Sequence, residues 1–448
     1  MSVNQKIFKA YDVRGIYPAE LDEAAARDIG RALVQYLGCT EVAVGRDMRT
    51  SSEPLFHALA EGITMQGADM VDVGLVSTDG LYFAVGKYGY QAGAMITASH
   101  NPKEYNGLKM CRKDAVPLSG DEGLSQMRDL INGGQLRQAD RKGLVREHDV
   151  EMAYTDYCLS FVDAKRIWGY RIAVDAGNGM AGKTVPPLFM RLPGDLVRLY
   201  FELDGSFPNH PASPIEPENI AELQRTVLEK GCDLGVAFDG DADRMFLVDE
   251  KGQALASSDV AALVARLLLK KYPGSNVIYN AICSRCVKET VEKCGGTAIR
   301  SKVGHALIKP LMRQHNAVFG GEHSGHFYFR DFWFADSGLL AFLVCWQLLS
   351  EENKPLSQLV AEVDRYVRIP ETNSTVADIP QKLAELEAVY ANQGAELDKL
   401  DGLTISYPDW WANVRPSNTE PLIRLNVEAV DQKILETKRD ELLKVIRE

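Results

Sequence analysis

The stretch AMITASHNP, residues 94–102, decides how we interpret the fold of this chain. Residues 94–96 are apolar and predict a buried strand, and the polar residues and Pro102 that follow end it. Such a turn is expected to present Ser99 at the carboxyl end of a strand, where open α/β sheets bind their ligands. Taken alone, the stretch also fits an ordinary Ser/Asn turn. Polar loops elsewhere in the chain therefore decide between the two interpretations.

The length of the chain, 448 residues, indicates several domains, because one hydrophobic core rarely serves so many. The net charge is −12 and no Lys/Arg-rich block occurs, so we expect neither nucleic acid nor a membrane as a partner. A few local cations could still bind a phosphorylated substrate. Eight scattered cysteines and an N-terminus without a signal peptide predict a cytoplasmic protein.

Strand-like and helix-like segments alternate along most of the chain, which predicts an α/β fold. We divide it into three α/β domains with mixed, mostly parallel sheets, over residues 1–145, 146–251 and 252–365. Residues 366–448 are predicted to form a smaller C-terminal α+β domain. All four units have the usual size of a domain.

The loop DGDADR, residues 239–244, places Asp239, Asp241 and Asp243 directly after the predicted strand 233–238. Close anions near a surface repel by about 4 kcal/mol per pair, so the loop requires a cation. Oxygen ligands select Mg²⁺, Ca²⁺ or Mn²⁺. We exclude an EF-hand, because Arg244 stands at its glycine position and a strand follows. Mg²⁺ shared with a phosphate oxygen is favoured over a solvated acidic loop.

Two further loops suit the parts of a sugar phosphate. In GGEHSGH, residues 320–326, Glu322 and Ser324 suit vicinal sugar hydroxyls, and His326 can move protons near neutral pH. Zinc binding by His323 and His326 is the alternative. In RPSNTEP, residues 415–421, one guanidinium, two hydroxyls and an amide suit a phosphate dianion, although a structural turn is an equal alternative.

Three other segments carry weaker signals. Cationic side chains occur in KAYDVRG, residues 9–15, and a further cation and an imidazole occur in SKVGH, residues 301–305. The glycine-rich segment 176–182 follows a predicted strand and invites a nucleotide-binding interpretation. That interpretation is not favoured, because no acidic residue ends a following strand at the expected distance.

In combination and in this order, the motifs TASHNP, DGDADR and RPSNTEP resemble the α-D-phosphohexomutase family over the whole chain, most closely its bacterial members that act on mannose phosphate. The resemblance implies four domains around one central cleft. It also implies interconversion of hexose 6-phosphate and hexose 1-phosphate through a phosphoserine and a hexose 1,6-bisphosphate, which serves as activator. The implied cofactor is Mg²⁺.

The resemblance assigns roles residue by residue. Ser99 matches the phosphoserine, which contributes an oxygen to the Mg²⁺ held by the three aspartates of the acidic loop, Asp239, Asp241 and Asp243. Catalytic roles are expected for Ser99, His100, Lys109, Arg14, Arg244 and His326. Substrate-binding roles are expected for Lys9, Tyr11, Lys302, His305, Glu322, Ser324, Arg415, Ser417, Asn418 and Thr419.

Two positions depart from the family pattern and concern the choice of sugar. His323 stands where methionine is common, and Ile282 stands where a lysine often contacts the substrate. Mutases of glucose or glucosamine phosphate therefore stay as alternatives, and a metal-dependent sugar phosphatase is the alternative of another class. The expected partners are hexose phosphates, the chain is expected to be a monomer or homodimer, and the product is expected to supply GDP-mannose.

Overall fold

The computed structural model describes residues 3–120, 122–417 and 422–448, except for the side chain of His305. Within them the chain forms four β-sheets in sequence order. Each of the first three has a parallel centre and antiparallel pairing at one margin, and the fourth is antiparallel. The predicted fold class is confirmed: three α/β domains, a C-terminal α+β domain and a cleft between them. The exact domain limits stay a prediction.

The first sheet has the strand order β1-β5-β4-β2-β3-β7, with β6 beside β5. Its strands are β1 (Val13–Ile16), β2 (Glu41–Arg46), β3 (Asp69–Leu75), β4 (Ala92–Ile96), β5 (Tyr105–Arg112), β6 (Val116–Pro117) and β7 (Val145–Glu147). The helices are α1 (Glu23–Leu37), α2 (Ser52–Met65), α3 (Thr78–Tyr88) and α4 (Leu124–Asn132). All of β4 is buried, as its apolar sequence predicts, and it delivers Ser99 to the edge of the sheet.

The second sheet has the order β11-β10-β8-β9. Its strands are β8 (Arg171–Asp175), β9 (Asp195–Leu199), β10 (Leu234–Phe238) and β11 (Met245–Asp249). The helices are α5 (Glu151–Leu159), α6 (Ala181–Thr184), α7 (Pro186–Phe189) and α8 (Pro217–Lys230). The acidic loop connects the antiparallel pair β10 and β11. Strands on both sides confirm that this loop is not an EF-hand.

The third sheet has the order β13-β12-β14-β15-β16. Its strands are β12 (Asn276–Asn280), β13 (Thr297–Ser301), β14 (Phe319–Gly321), β15 (Phe327–Phe329) and β16 (Ala335–Asp336). The helices are α9 (Ser257–Lys271), α10 (Arg285–Lys293), α11 (His305–His315), α12 (Gly338–Glu352) and α13 (Leu356–Val363). The predicted sugar loop connects β14 and β15 and therefore lies at a sheet edge.

The fourth sheet has the order β17-β22-β21-β20-β19, with β18 beside β22. Its strands are β17 (Val367–Arg368), β18 (Thr372–Thr375), β19 (Glu396–Asp398), β20 (Leu403–Ser406), β21 (Trp410–Pro416) and β22 (Leu422–Ala429). The helices are α14 (Ile379–Ala391) and α15 (Gln432–Arg447). The predicted phosphate loop lies between β21 and β22.

A shared hydrophobic core joins the first three domains, whereas the fourth has a core of its own. The shared core includes Phe83, Phe238 and Trp346, one from each domain. Helix α12 is buried along almost its whole length and contributes Phe342 and Trp346. The fourth domain packs around residues of β20, β21, β22 and α15. None of the described helices has the length and apolar sequence needed to span a bilayer.

Candidate active site

Ser99 lies on the turn after β4 and faces the acidic loop of the second domain. The residue is 3% exposed, and its backbone adopts the left-handed conformation with φ 51°. Its Oγ donates a hydrogen bond of 2.7 Å to Asp239 Oδ2, and Arg244 Nη2 donates one of 3.2 Å to the same Oγ. The predicted nucleophile and the predicted metal loop therefore meet across a domain boundary.

His100 adds an imidazole beside this hydroxyl. Its Nδ1 lies 3.2 Å from Ser99 Oγ. The positive charge of Arg244, burial and the charge of Arg14 hold the pKa of His100 well below its ordinary value. The ring is therefore neutral at physiological pH and can exchange a proton with the serine.

The three aspartates converge as the sequence predicted. They are buried, and ligand oxygens of Asp239, Asp241 and Asp243 lie within 4.8 Å of one another. Lys109, on the neighbouring strand β5, offsets their repulsion: its Nζ lies 2.7 Å from Asp241 Oδ2 and 2.5 Å from Asp243 Oδ2. Burial alone would lower the pKa of Lys109, but these two negative charges raise it, so the side chain stays cationic.

Asp241 and Asp243 both contact this lysine, but their pKa values are shifted in opposite directions. Burial opposes ionisation of Asp241, yet Lys109 outweighs it and lowers the pKa of Asp241. Burial and the charge of Asp241 raise the pKa of Asp243 to about 7. Asp241 Oδ1 and Asp243 Oδ1 are also buried without a hydrogen-bond partner. Buried carboxylate oxygens in this state fit an additional oxygen-liganded cation.

Two features that the sequence did not assign support the acidic loop. Thr78, at the start of α3, donates from Oγ1 to Asp241 Oδ2 at 2.5 Å. The glycine-rich segment packs behind the loop: Met180 N donates to Gly240 O at 2.9 Å, and a Cβ on Gly179 would lie 2.6 Å from the same oxygen. Close backbone packing against the acidic loop therefore explains the glycine at position 179.

A cavity of about 610 Å³ opens beside Ser99. This volume lies in the ordinary range for small-molecule sites. Its walls bring together nine of the residues predicted from sequence, which are Lys9, Tyr11, Arg14, Ser99, His100, Lys109, Asp243, Arg244 and His326. Arg14 is held there by an ion pair with Asp12 and by donation from Nη1 to Asn101 Oδ1 at 2.6 Å.

The SKVGH segment approaches the first domain across the cleft. A Cβ on Gly304 would lie 2.5 Å from the Tyr11 hydroxyl, and the φ of Gly304, +139°, also requires glycine. Burial, followed by the negative charges of Glu322 and Asp401, raises the pKa of Tyr11. Lys302 is exposed in this segment. The side chain of His305 lies outside the described part of the structure.

The predicted sugar loop presents a carboxylate and an imidazole. Glu322 is 2% exposed, accepts a hydrogen bond from the Tyr328 hydroxyl and accepts another from Asn280 Nδ2 at 3.3 Å. His326 Nδ1 pairs with Asp336 Oδ2 at 2.8 Å. Burial lowers the pKa of His326, but Asp243 and Asp336 outweigh burial and raise it. Ser324, in the same loop, is half-buried.

Asp336 and Lys309 were not predicted from sequence. Lys309 is 1% exposed, and its Nζ lies 2.7 Å from Asp336 Oδ1. The ammonium also lies 4.2 Å from the centre of the Tyr82 ring. Lys309, Asp336 and His326 thus form a continuous chain of ionisable groups that ends at the cavity wall.

The phosphate loop is flanked by two guanidiniums that share one carboxylate. Arg415 is 5% exposed, and its Nη2 lies 2.9 Å from Glu371 Oε2. Arg424 Nη1 lies 3.1 Å from Glu371 Oε1, and its Nη2 donates to Ser417 Oγ at 3.3 Å. The sequence did not point to Glu371 or Arg424. Asn418 and Thr419 lie outside the described residues.

Four domain families match the chain in sequence order, all described as phosphoglucomutase/phosphomannomutase. They are alpha/beta/alpha domain I over residues 5–136, domain II over 152–252, domain III over 256–366 and the C-terminal domain over 371–445. Together these ranges cover almost all of the chain.

Full-length relatives and a solved structure agree with these families. A protein of Salmonella montevideo named phosphomannomutase is 38% identical, covering 99% of both chains. One of Xanthomonas campestris named phosphohexose mutases is 39% identical, covering 98% of this chain and 99% of its own. A phosphoglucomutase/phosphomannomutase family protein of Burkholderia thailandensis has a crystal structure with TM-score 0.90 and 33% identity, covering 99% of this chain and 97% of its own.

Proposed function

The chain belongs to the phosphoglucomutase/phosphomannomutase family, and from this membership we propose its function. It is a phosphomannomutase, an isomerase that interconverts mannose 6-phosphate and mannose 1-phosphate. The observation that carries this function is the meeting of Ser99 with Asp239 and Arg244 at the wall of a cavity of about 610 Å³.

Ser99 is proposed to store a phosphoryl group. In the first half-reaction the phosphoryl group leaves Ser99 Oγ for the free hydroxyl of mannose 6-phosphate. That hydroxyl gives its proton to a base of the cleft, Ser99 Oγ takes up a proton, and mannose 1,6-bisphosphate forms. The bisphosphate turns over in the cleft. In the second half-reaction Ser99 Oγ gives its proton to a base of the cleft and attacks the 6-phosphoryl group. The bond from phosphorus to the sugar 6-oxygen breaks, that oxygen takes up a proton, and mannose 1-phosphate is released. A hexose 1,6-bisphosphate would phosphorylate Ser99 initially and so act as the activator.

Charge on the transferring group would be offset by Lys109, Arg244 and a Mg²⁺ ion. Asp239, Asp241 and Asp243 are the residues that would hold this ion, together with an oxygen on Ser99. This assignment is supported by the buried Oδ1 atoms of Asp241 and Asp243, which have no hydrogen-bond partner. When bound, Mg²⁺ supplies positive charge that stabilises the phosphoryl oxygens in the transition state. Both Lys109 and Arg244 have raised pKa values, so each acts as a fixed cation.

Proton exchange is assigned to the two imidazoles of the cavity. Neutral His100, 3.2 Å from Ser99 Oγ, suits the proton of the serine. His326, oriented by Asp336, suits the proton of the sugar hydroxyl. Arg14 lies on the same cavity wall and would contribute positive charge there.

The rest of the substrate would be held by the four other segments that the sequence singled out. Glu322 and Ser324 are proposed to bind sugar hydroxyls, and Arg415, Ser417, Asn418 and Thr419 are proposed to bind the phosphate that is not reacting. Lys9, Tyr11, Lys302 and His305 would complete the cleft. Binding one phosphate far from Ser99 lets either end of the bisphosphate reach the serine, and closure of the fourth domain would exclude water.

The test is a panel of sugar phosphates with a hexose 1,6-bisphosphate activator and Mg²⁺, followed by NMR of the products. We expect mannose 6-phosphate to yield mannose 1-phosphate. Faster conversion of glucose or glucosamine phosphate would move the assignment to a sister mutase. Release of free phosphate in proportion to substrate, with no isomer formed, would instead identify a sugar phosphatase.

We propose a cytoplasmic location, which is supported by the state of the thiols. All eight cysteines are free and seven of them are buried. The proposed assembly is a monomer or homodimer, and size-exclusion chromatography with light scattering distinguishes the two.

A further inference from the structure

A buried arginine that the proposed function does not use contacts the loop that carries Ser99. Arg49 follows β2, and its side chain has no exposed surface. Its Nη1 donates to the carbonyl oxygens of Pro102 at 2.9 Å and Tyr105 at 3.0 Å. Its Nη2 donates to the carbonyl oxygens of Ser99 at 2.8 Å and Asn101 at 2.7 Å. One guanidinium therefore binds four carbonyl groups of a single loop.

The arginine is itself held in place. Asp47 Oδ2 lies 3.3 Å from Arg49 Nε, and Asp47 Oδ1 accepts hydrogen bonds from the Ser52 hydroxyl at 2.6 Å and from Arg49 N at 3.0 Å. A planar guanidinium presents its donors in a fixed fork, whereas lysine presents three donors from one atom. Lysine therefore cannot reproduce the contacts to four separate carbonyl groups.

These contacts act on the backbone of the nucleophile. Ser99 has φ 51°, in the left-handed region that residues with a Cβ disfavour. Arg49 binds the carbonyl oxygen of Ser99, and Thr97 Oγ1 accepts a hydrogen bond of 2.9 Å from Ser99 N. The two peptide groups that flank Ser99 are thus both fixed. Their orientation directs the Ser99 hydroxyl towards Asp239 and Arg244.

We propose that Arg49 is a positioning residue for phosphoryl transfer. It holds Ser99 in the left-handed conformation, so that the phosphoryl group on Oγ stays in line with the substrate hydroxyl and away from water. This role rests on the proposed mutase function. It differs from a purely structural role, because it predicts a change in the reactivity of each phosphorylated molecule rather than only in the amount of folded protein.

The test compares two arginine-to-lysine variants three positions apart. R49K removes the fork, and R46K is the matched control, because the Arg46 guanidinium pairs with Glu53 at 2.7 Å and Asp72 at 2.8 Å. Each full-length enzyme is phosphorylated with glucose 1,6-bisphosphate, and its phosphoserine content is measured by intact mass. Rapid quench then gives the rate of transfer to mannose 6-phosphate, and a phosphate assay gives the rate of hydrolysis.

Per phosphoserine, we expect R49K to transfer about 10²-fold more slowly than R46K, the loss typical of a misplaced reacting group. Hydrolysis relative to transfer should rise, and the KM for mannose 6-phosphate should stay within about twofold. If R49K does not accumulate as folded protein, R49Q is measured in the same way. Equal transfer and hydrolysis rates per phosphoserine in the two variants would overturn the role of Arg49. A wild-type enzyme without phosphoserine would overturn the proposed function and this role with it.

Discussion

Replacing Lys109 by methionine removes the ammonium that lies between Asp241 and Asp243. The variant then has three buried aspartates whose charge is offset chiefly by Arg244. Breaking a buried ion pair in this way typically costs about 3–5 kcal/mol. The cost should be greater at pH 8 than at pH 6. The pKa of Asp243, already raised to about 7, rises further when the lysine is removed. At pH 6 the Asp243 carboxyl is therefore neutral and its burial without the lysine costs less.

Thermal unfolding in EDTA measures this loss. At about 2–4 °C per kcal/mol for a domain of 150–250 residues, K109M should unfold about 6 °C or more below wild type. Added Mg²⁺ should then stabilise K109M more than wild type, because the ion replaces the missing charge. An ion at about 100 times its dissociation constant contributes about 2.7 kcal/mol. The matched control is K103M, since Lys103 is exposed nearby.

Two results would refute this reasoning. Equal unfolding temperatures of K109M and K103M in EDTA would mean that the lysine does not compensate the aspartates. Equal Mg²⁺-dependent shifts in K109M and wild type would mean that the ion and the lysine do not serve the same carboxylates.

Two further predictions concern other parts of the molecule. R415M removes charge-assisted hydrogen bonds to a phosphate, each about 1.5–3 kcal/mol, so steady-state kinetics should show a KM for mannose 6-phosphate about 10–100-fold higher. The control is R439M, at a partly exposed arginine of the same domain, whose KM should be unchanged. An unchanged KM in R415M would remove Arg415 from the phosphate site. His210 lies 3.0 Å from Asp175 Oδ2 and 2.8 Å from Pro211 O, and although burial lowers its pKa, the Asp175 contact raises it overall. The resulting stabilisation, about 1–3 kcal/mol, is present below pH ~6.5 and lost as pH rises through the folded pKa. Between pH 6 and pH 9 the unfolding temperature should therefore fall more in wild type than in H210Q. The same fall in both proteins would contradict this.

Capping residues and hydrophobic periodicity predicted the amphipathic helices, which have one polar and one apolar face. Helix α1 illustrates this: Asp22 caps its first turn, Gly38 ends it in the left-handed conformation, and apolar residues recur on one face. The fully apolar strands β4 and β10 were predicted with equal ease, and with them the positions of Ser99 and Asp239. The site loops could be found because each follows such a strand.

Other elements carry no periodic signal. Helix α12 is apolar on all sides because the shared core surrounds it, so its sequence shows no amphipathic period. Helix α3 buries polar residues such as Thr78 and Asp79 at its start, where tertiary contacts satisfy them. Strand β5, which carries Lys109, contains the turn-like residues Asn106 and Gly107 near its start and was not predicted.

The supporting residues of the site were missed for a related reason. Arg49, Glu371 and Lys309 act through partners that are distant in sequence, so no motif joins them to the loops they support. In the sequence, Arg49 and Asp47 look like any ion pair on a protein surface. Only the fold shows that both side chains are buried. Sequence therefore identifies the polar residues of the site loops more readily than the residues that hold those loops in place.

The most direct measurement follows a labelled phosphoryl group through Ser99. Enzyme phosphorylated by isotopically labelled glucose 1,6-bisphosphate is digested, and the modified peptide is identified by mass spectrometry before and after addition of mannose 6-phosphate. The account predicts label on Ser99 that moves to mannose 1,6-bisphosphate, and a loss of activity of about 10³-fold or more in S99A. Interconversion at the normal rate in S99A, or with no label on Ser99, would contradict it.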